Sequence, residues 1–219
     1  MTYIHPTAII YPNVIIEEDC YIGPYCIIGA PAEWKGHEEV SKGVRIGAGS
    51  RLTGLVTVDA GVTGTTLIGP GSYLMKHSHV GHDAELWENV VLSCGAKVGG
   101  HSVIKSNCNI GLNAVIHQKV IVPKGCMIGA SAFIGKKTML QPYRKYAGVP
   151  AKDIGENVRS LNLNNMNDLE NLNLFEQQER IKHKIKKEFR EKELNEWASA
   201  IFIILFIFCF IALLGYIFN

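Results

Sequence analysis

A group of histidines is the part of this chain best suited to chemistry. His79, His82, His101 and His117 lie close together in the sequence, and Asp83 directly follows His82. An imidazole titrates near neutral pH, and a carboxylate beside it can fix its tautomer and raise its basicity, as a general base requires. A metal site is a second reading, because His77-x-His79-x-x-His82 has ligand-like spacing and histidines meeting across a subunit boundary can hold zinc. Ordinary surface histidines are the third.

A period of six is the device that could position them. Ile4, Ile10, Ile16, Ile22 and Ile28 begin the series, and Ile46, Leu52 and Val58 continue it in phase. After a slip of four it runs unbroken from Ile68 through Leu74, Val80, Leu86 and Leu92 to Leu140. Six fits neither a helix nor a flat strand. It fits a coil of three short strands, each sending one aliphatic residue inward. The predicted fold is all-β, a left-handed parallel β-helix of hexapeptide repeats, with eighteen residues per coil and about 4.8 Å between coils. Glycine often follows the aliphatic residue, as at Gly23, Gly69 and Gly99, where it would accept the backbone angles of a tight corner. In this frame His82, His101 and His117, nineteen and sixteen residues apart, fall near one corner on successive coils. His79 lies one corner segment earlier, on the coil of His82. The core is aliphatic, so these side chains point outward or into an interface between subunits.

Two irregularities interrupt the period. The polar stretch 30–44, APAEWKGHEEVSKGV, reads as a loop extruded from one corner, and such a loop on a regular solenoid is more often functional than decorative. The phase slip at 59–67 is the other. Pro142 and the run Gly148-Val149-Pro150-Ala151-Lys152 end a solenoid of about seven coils that occupies residues 1–154.

The remainder divides in two. Residues 155–196 hold an Asn/Leu-rich linker and a charged amphipathic helix, with Ile181, Ile185 and Phe189 on one stripe and a run of cations from Arg180 to Lys192. Residues 197–219 form a predicted transmembrane anchor. The stretch 198–218 carries no charge and would span roughly 30 Å as a helix, the thickness of a bilayer core. Cations precede the span and none follow it, so the solenoid is expected on the cytoplasmic side of a single-pass membrane protein. MTYIHPTAII reads as the first coil and not as a signal peptide. A net charge of +2 gives no argument for nucleic acid. The six cysteines form no CxxC, and Cys108 and Cys126, eighteen apart, read as small core residues stacked on successive coils, without a bridge.

The segment MKHSHVGHDAELWENVVLSCGAKVGGHSVIKSNCNIGLNAVIHQ resembles the UDP-N-acetylglucosamine O-acyltransferases that begin lipid A synthesis, as do IHPTAII and IGPYCIIGAPAEWKG near the N-terminus. The His-x-x-His-Asp, Gly-Gly-His and His-Gln signatures carry the resemblance, which covers about residues 1–154. It implies a homotrimer of left-handed β-helices with sites between neighbouring subunits. It implies His82 as catalytic base toward a sugar hydroxyl, Asp83 as its carboxylate partner, and the Gly100 N–H as donor to the oxyanion. His79, His101, His117 and Gln118 would hold sugar, acyl chain and diphosphate, Lys35 would reach the nucleotide sugar from the extruded loop, and Ala130 would set the room for the acyl tail. No bound cofactor is implied; an acyl carrier protein thioester is the donor co-substrate. No metal is expected, since the two-coil histidine spacing of the solenoid carbonic anhydrases is missing upstream of His77 and His82. The chain also departs from the family: a corner containing Arg is Asp59-Ala60-Gly61 here, and no C-terminal helical domain for carrier protein is recognisable. The ending Tyr146 to Lys152 resembles acetyl-CoA-dependent hexapeptide acetyltransferases, which leaves acetyl-CoA as a second donor. A non-catalytic solenoid that binds a sugar nucleotide is the alternative outside enzymology.

Overall fold

In a computed structural model the described residues are 1–36 and 42–158. They form a parallel β-solenoid of about eight coils, one more than the spacing alone suggested. Three sheets of nine, seven and six strands make its sides, and the arrangement fits the left-handed β-helix expected from the sequence. Most strands are two or three residues long and pair in parallel with the strand one coil away. Leu74 pairs with Leu92, Leu92 with Ile110 and Ile110 with Ile128, a constant step of eighteen. The step breaks twice. Ile22 pairs with Leu52 across the extruded loop, and Leu52 with Leu74 across the phase slip. Both insertions leave the coil at a corner, so the ladder resumes in register on the far side.

The six-residue series is the core. From Ile22 to Ile134 its members are buried, Leu52, Leu74, Leu92, Ile110 and Ile128 completely. A second buried column, two residues before each aliphatic, holds small side chains such as Cys20, Val56, Ala84, Ala96, Cys108 and Ala132. The large residue fills the coil's centre and the small one fits its corner. Cys108 and Cys126 are free, and each thiol donates to a backbone carbonyl, of Pro123 and Gln141.

Gly29 takes the positive φ of 83° that the sequence suggested, but most of the recurring glycines are there for a different reason. At Gly69 a Cβ would lie 2.4 Å from the carbonyl carbon of Trp87 on the next coil, so close approach of two backbones excludes a side chain there. For these the left-handed conformation falls elsewhere in the corner, and among the described residues twelve other than glycine adopt it, Asp83 at φ 58° and His101 at φ 57° included.

The last coil is closed by a hairpin in which Arg144–Ala147 pairs antiparallel with Lys152–Glu156. The expected linker, charged helix and membrane span lie outside the described residues, apart from the first few linker positions. Among the described residues no helix is long and apolar enough to cross a membrane.

Candidate active site

The strands Thr57–Asp59, His79–Val80, Lys97–Val98, Val115–Ile116 and Phe133–Ile134 stack in one sheet, and the corner that follows them carries most of the candidate residues. His82 and Asp83 occupy this corner on one coil, Gly100 and His101 on the next, and His117 and Gln118 on the one after. The column of histidines expected from the spacing is therefore present.

Asp83 is the anchor. Its left-handed backbone turns the carboxylate back onto His82, whose Nδ1 lies 2.7 Å from Oδ2. The turn created by the phase slip, residues 60–65, lies against the same carboxylate. Oδ1 accepts the N–H groups of Thr63 at 2.8 Å and Gly64 at 2.6 Å and the Thr63 hydroxyl at 2.8 Å, and Oδ2 accepts the Val62 N–H at 3.1 Å. Burial alone would raise the Asp83 carboxyl. The hydrogen bonds from His82, Gly64, Val62 and Thr63 overcome it and hold the group well below the usual carboxylate range. A permanent anion at Oδ2 keeps the proton of neutral His82 on Nδ1 and leaves the Nε2 lone pair to act.

Nε2 faces Gly100. A Cβ built on Gly100 would stand 2.8 Å from it, so only glycine lets the backbone come this close to the imidazole. Gly100 accepts the Lys119 N–H through its carbonyl, and among the described residues no hydrogen bond uses its own N–H. That N–H is thus available to an oxygen beside His82. His101 meets the His82 ring edge-on at 4.9 Å, with its Nε2 3.8 Å from Asp83. On the other side Trp34, from the extruded loop, stacks on His82 at 5.4 Å and 22° between planes. Lys35 follows Trp34 in the loop and is exposed.

His79 forms a second group. Thr57 Oγ1 lies 2.8 Å from its Nδ1 and Asp59 Oδ2 lies 3.7 Å from its Nε2. Burial, then Lys97, lowers the His79 pKa, while burial, then Glu33, pushes the Asp59 carboxyl up to about 6. Both shifts favour the neutral forms, so the pair is a buried polar contact more than an ion pair. His117 stands with Phe133 at the end of a groove of ≈ 710 Å³ whose other walls include Lys136, Lys137, Met139 and Lys152. Gln118 and Ala130 are exposed. Among the described residues no hydrogen bond or ion pair ties Lys35, Gln118 or Ala130 to His82.

Ligand atoms of His82, Asp83 and His101 lie within 4.8 Å of one another, close enough to consider a metal. The oxygens of Asp83 are already engaged by four donors from 62–64 besides His82, and a cation would have to displace them. The cluster is built to orient an imidazole. Trp34 and the 62–64 turn were given no role by sequence reasoning, and Asp59 was marked only as part of a corner that departs from the family. The interrupted period did flag the last of these, but three of the turn's donors are main-chain N–H groups, which no residue type advertises.

Known proteins resemble this chain in sequence and in fold. The family described as bacterial transferase hexapeptide (six repeats) matches residues 1–33. The acyl-[acyl-carrier-protein]–UDP-N-acetylglucosamine O-acyltransferase of Paraburkholderia phymatum is 26% identical over 204 residues, 74% of this chain and 76% of that protein. Among solved structures, the UDP-N-acetylglucosamine acyltransferase of Bacteroides fragilis aligns with TM-score 0.64 at 22% identity, covering 75% of this chain and 78% of that one. The acetyltransferase domain of PglB from Neisseria gonorrhoeae aligns with TM-score 0.51 at 25% identity, covering 70% and 58%.

Proposed function

We propose that this chain, an enzyme of the acyltransferase class that resembles the hexapeptide-repeat UDP-N-acetylglucosamine O-acyltransferases, uses His82 as its general base. The acyl group passes from an acyl carrier protein thioester to a hydroxyl of UDP-N-acetylglucosamine or a related nucleotide sugar. The observation that carries this reading is the Asp83–His82 pair, whose Nε2 lies against Gly100, a residue whose N–H no hydrogen bond among the described residues uses.

The sugar hydroxyl gives its proton to His82 Nε2 as its oxygen bonds to the thioester carbonyl carbon. Asp83 steadies the imidazolium. The carbonyl oxygen becomes an oxyanion that accepts the Gly100 N–H, a donor already in place and needing no reorganisation. Collapse of the tetrahedral centre breaks the C–S bond, and the departing thiolate takes the proton back from His82. His79, His101, His117 and Gln118 hold the substrates, Lys35 meets the diphosphate, and Ala130 limits the acyl tail. The corner column is convex, so it encloses substrate only with a neighbour; a homotrimer with sites between subunits provides one. The catalytic unit is 1–154, joined by 155–196 to an anchor at 197–219 that keeps it on the cytoplasmic face of a membrane.

The test is a donor panel on the full chain in detergent, with UDP-N-acetylglucosamine as acceptor and His82→Ala alongside. Acyl carrier proteins with short to long plain or 3-hydroxy chains should yield product from one length, and His82→Ala should lose it by about 10²–10⁴-fold while still folding. Near-normal turnover in that variant would remove His82 from its role. Product from acetyl-CoA alone would favour a sugar acetyltransferase, a second reading supported by the Tyr146 to Lys152 ending and the likeness to the gonococcal domain. Nucleotide-sugar binding with no product would leave a non-catalytic solenoid.

A further inference from the structure

The charges of the solenoid are sorted along its axis. The early coils carry Glu17, Glu18, Asp19, Glu33 and Asp59, whereas no aspartate or glutamate occurs from 89 to 152. The last two coils and the closing hairpin present Lys119, Lys124, Lys136, Lys137, Lys145 and Lys152. The hairpin's two carboxylates are both tied to Arg144. Asp153 accepts its Nε at 2.8 Å and Nη2 at 3.0 Å, and Glu156 lies 3.9 Å from Nη1. Apolar side chains stand out of this same end: Met139 is 84% exposed, Val149 74%, Ile154 60% and Val158 58%. Met139 shares a groove with Lys136, Lys137 and Lys152, and the other three belong to the closing hairpin and the residues just after it.

We propose that this end of the solenoid is a membrane-docking face that takes an anionic phospholipid surface. Lysines alone would suit any acidic partner. Two further observations select lipid. The exposed apolar tips can enter the boundary between headgroups and acyl chains while the lysines around them meet headgroup charge. The chain also leaves the solenoid at this end, after Val158, toward the uncharged stretch 198–218. The inference extends the anchored reading, adding a surface contact that fixes which end of the solenoid faces the bilayer. Three of the lysines, and Met139, also line the groove beside His117, so docking would hold that groove at the membrane surface.

The test uses the full chain reconstituted into vesicles of phosphatidylcholine alone, or of phosphatidylcholine with about one third phosphatidylglycerol. A small water-soluble acetylating reagent is added outside, and mass spectrometry reads each lysine. Labelling of Lys136, Lys137 and Lys152 relative to Lys76 should fall about fivefold in the anionic vesicles only, and return at 0.5 M salt, where the Debye length drops to about 4 Å or less. Equal labelling in both vesicles, with the chain floating with both, overturns the docking face and leaves the anchor standing. Flotation with anionic vesicles alone supports the face and removes the anchor. Flotation with neither removes both. Protection of the same lysines by acyl carrier protein in lipid-free micelles, absent in the anionic vesicles, overturns the proposal and assigns the surface to that protein.

Discussion

Replacing Asp83 by asparagine isolates the arrangement on which the mechanism depends. The substitution keeps shape and removes charge. The amide oxygen can take the place of Oδ1, which accepts three hydrogen bonds from Thr63 and Gly64. The NH₂ then occupies the place of Oδ2, facing the Val62 N–H and Nδ1 of His82, which was 2.7 Å from the carboxylate. Two donors cannot share that space, so His82 shifts its proton to Nε2 and presents a donor where the sugar hydroxyl needs an acceptor. The transition state also loses the attraction between carboxylate and imidazolium, about 4 kcal/mol for unit charges some 4 Å apart at an effective dielectric of 20. That is roughly a thousandfold in rate at about 1.4 kcal/mol per decade. The folded state loses less, about 1–3 kcal/mol for one mismatched buried donor. The expected result is kcat lower by about 10³, a nearly unchanged affinity for the nucleotide sugar by calorimetry, and a native circular dichroism spectrum. Release of carrier-protein thiol gives the rate. A folded Asp83→Asn enzyme working within threefold of the parent would refute the claim that this carboxylate sets the tautomer of the base.

Gly100→Ala should act from the opposite side. The new Cβ would press on the His82 ring at 2.8–3.0 Å, and turnover is expected to fall about ten- to a hundredfold with little change in melting, as assayed on the same thiol readout. Asp59 gives a stability prediction. Its carboxyl is raised to about 6 by burial, then by Glu33, so folding favours the protonated form. The stability this contributes is present below the ordinary carboxylate value near 4 and is lost as pH rises through 6. Asp59→Asn should therefore match the parent in urea melts near pH 4 and exceed it at pH 8 by up to about 3 kcal/mol; a loss at pH 8 would mean that the charged form is the one folding prefers.

The sequence made the scaffold legible because a solenoid writes its core into the chain at fixed intervals. One aliphatic per six residues gave the coil, and the coil placed His82, His101 and His117 on one corner, where the structure has them. Distances between these rings were not legible. Nor was the environment of Asp83, since three of the donors that hold it are main-chain groups of Val62, Thr63 and Gly64, and a peptide N–H has no letter of its own. Trp34 escaped notice because a tryptophan in a polar loop has no period to betray its aim. The recurrent glycines were read for their backbone freedom, yet Gly69 is required by the backbone of Trp87 above it. A periodic pattern identifies a position and leaves open which neighbour enforces it.

The constant step of eighteen means that each coil rests only on the coils above and below. Stability of such a stack is close to a sum over neighbours. The catalytic corner draws on consecutive layers from Thr57 to Phe133, so those layers form a fixed cassette. Coils below Ile22 bear load without touching the reacting atoms, and whole eighteen-residue units could be added or removed there as courses are added to a wall. The tolerated change is quantised: multiples of eighteen residues preserve every facing, other multiples of six rotate each side of the triangle onto a neighbour, and a number that is no multiple of six breaks the ladder, unless, as at the two insertions here, the surplus is expelled at a corner. The two surpluses described here meet at one pair of side chains: the loop brings Trp34 onto the ring of His82, and the turn at 60–65 holds the carboxylate of Asp83.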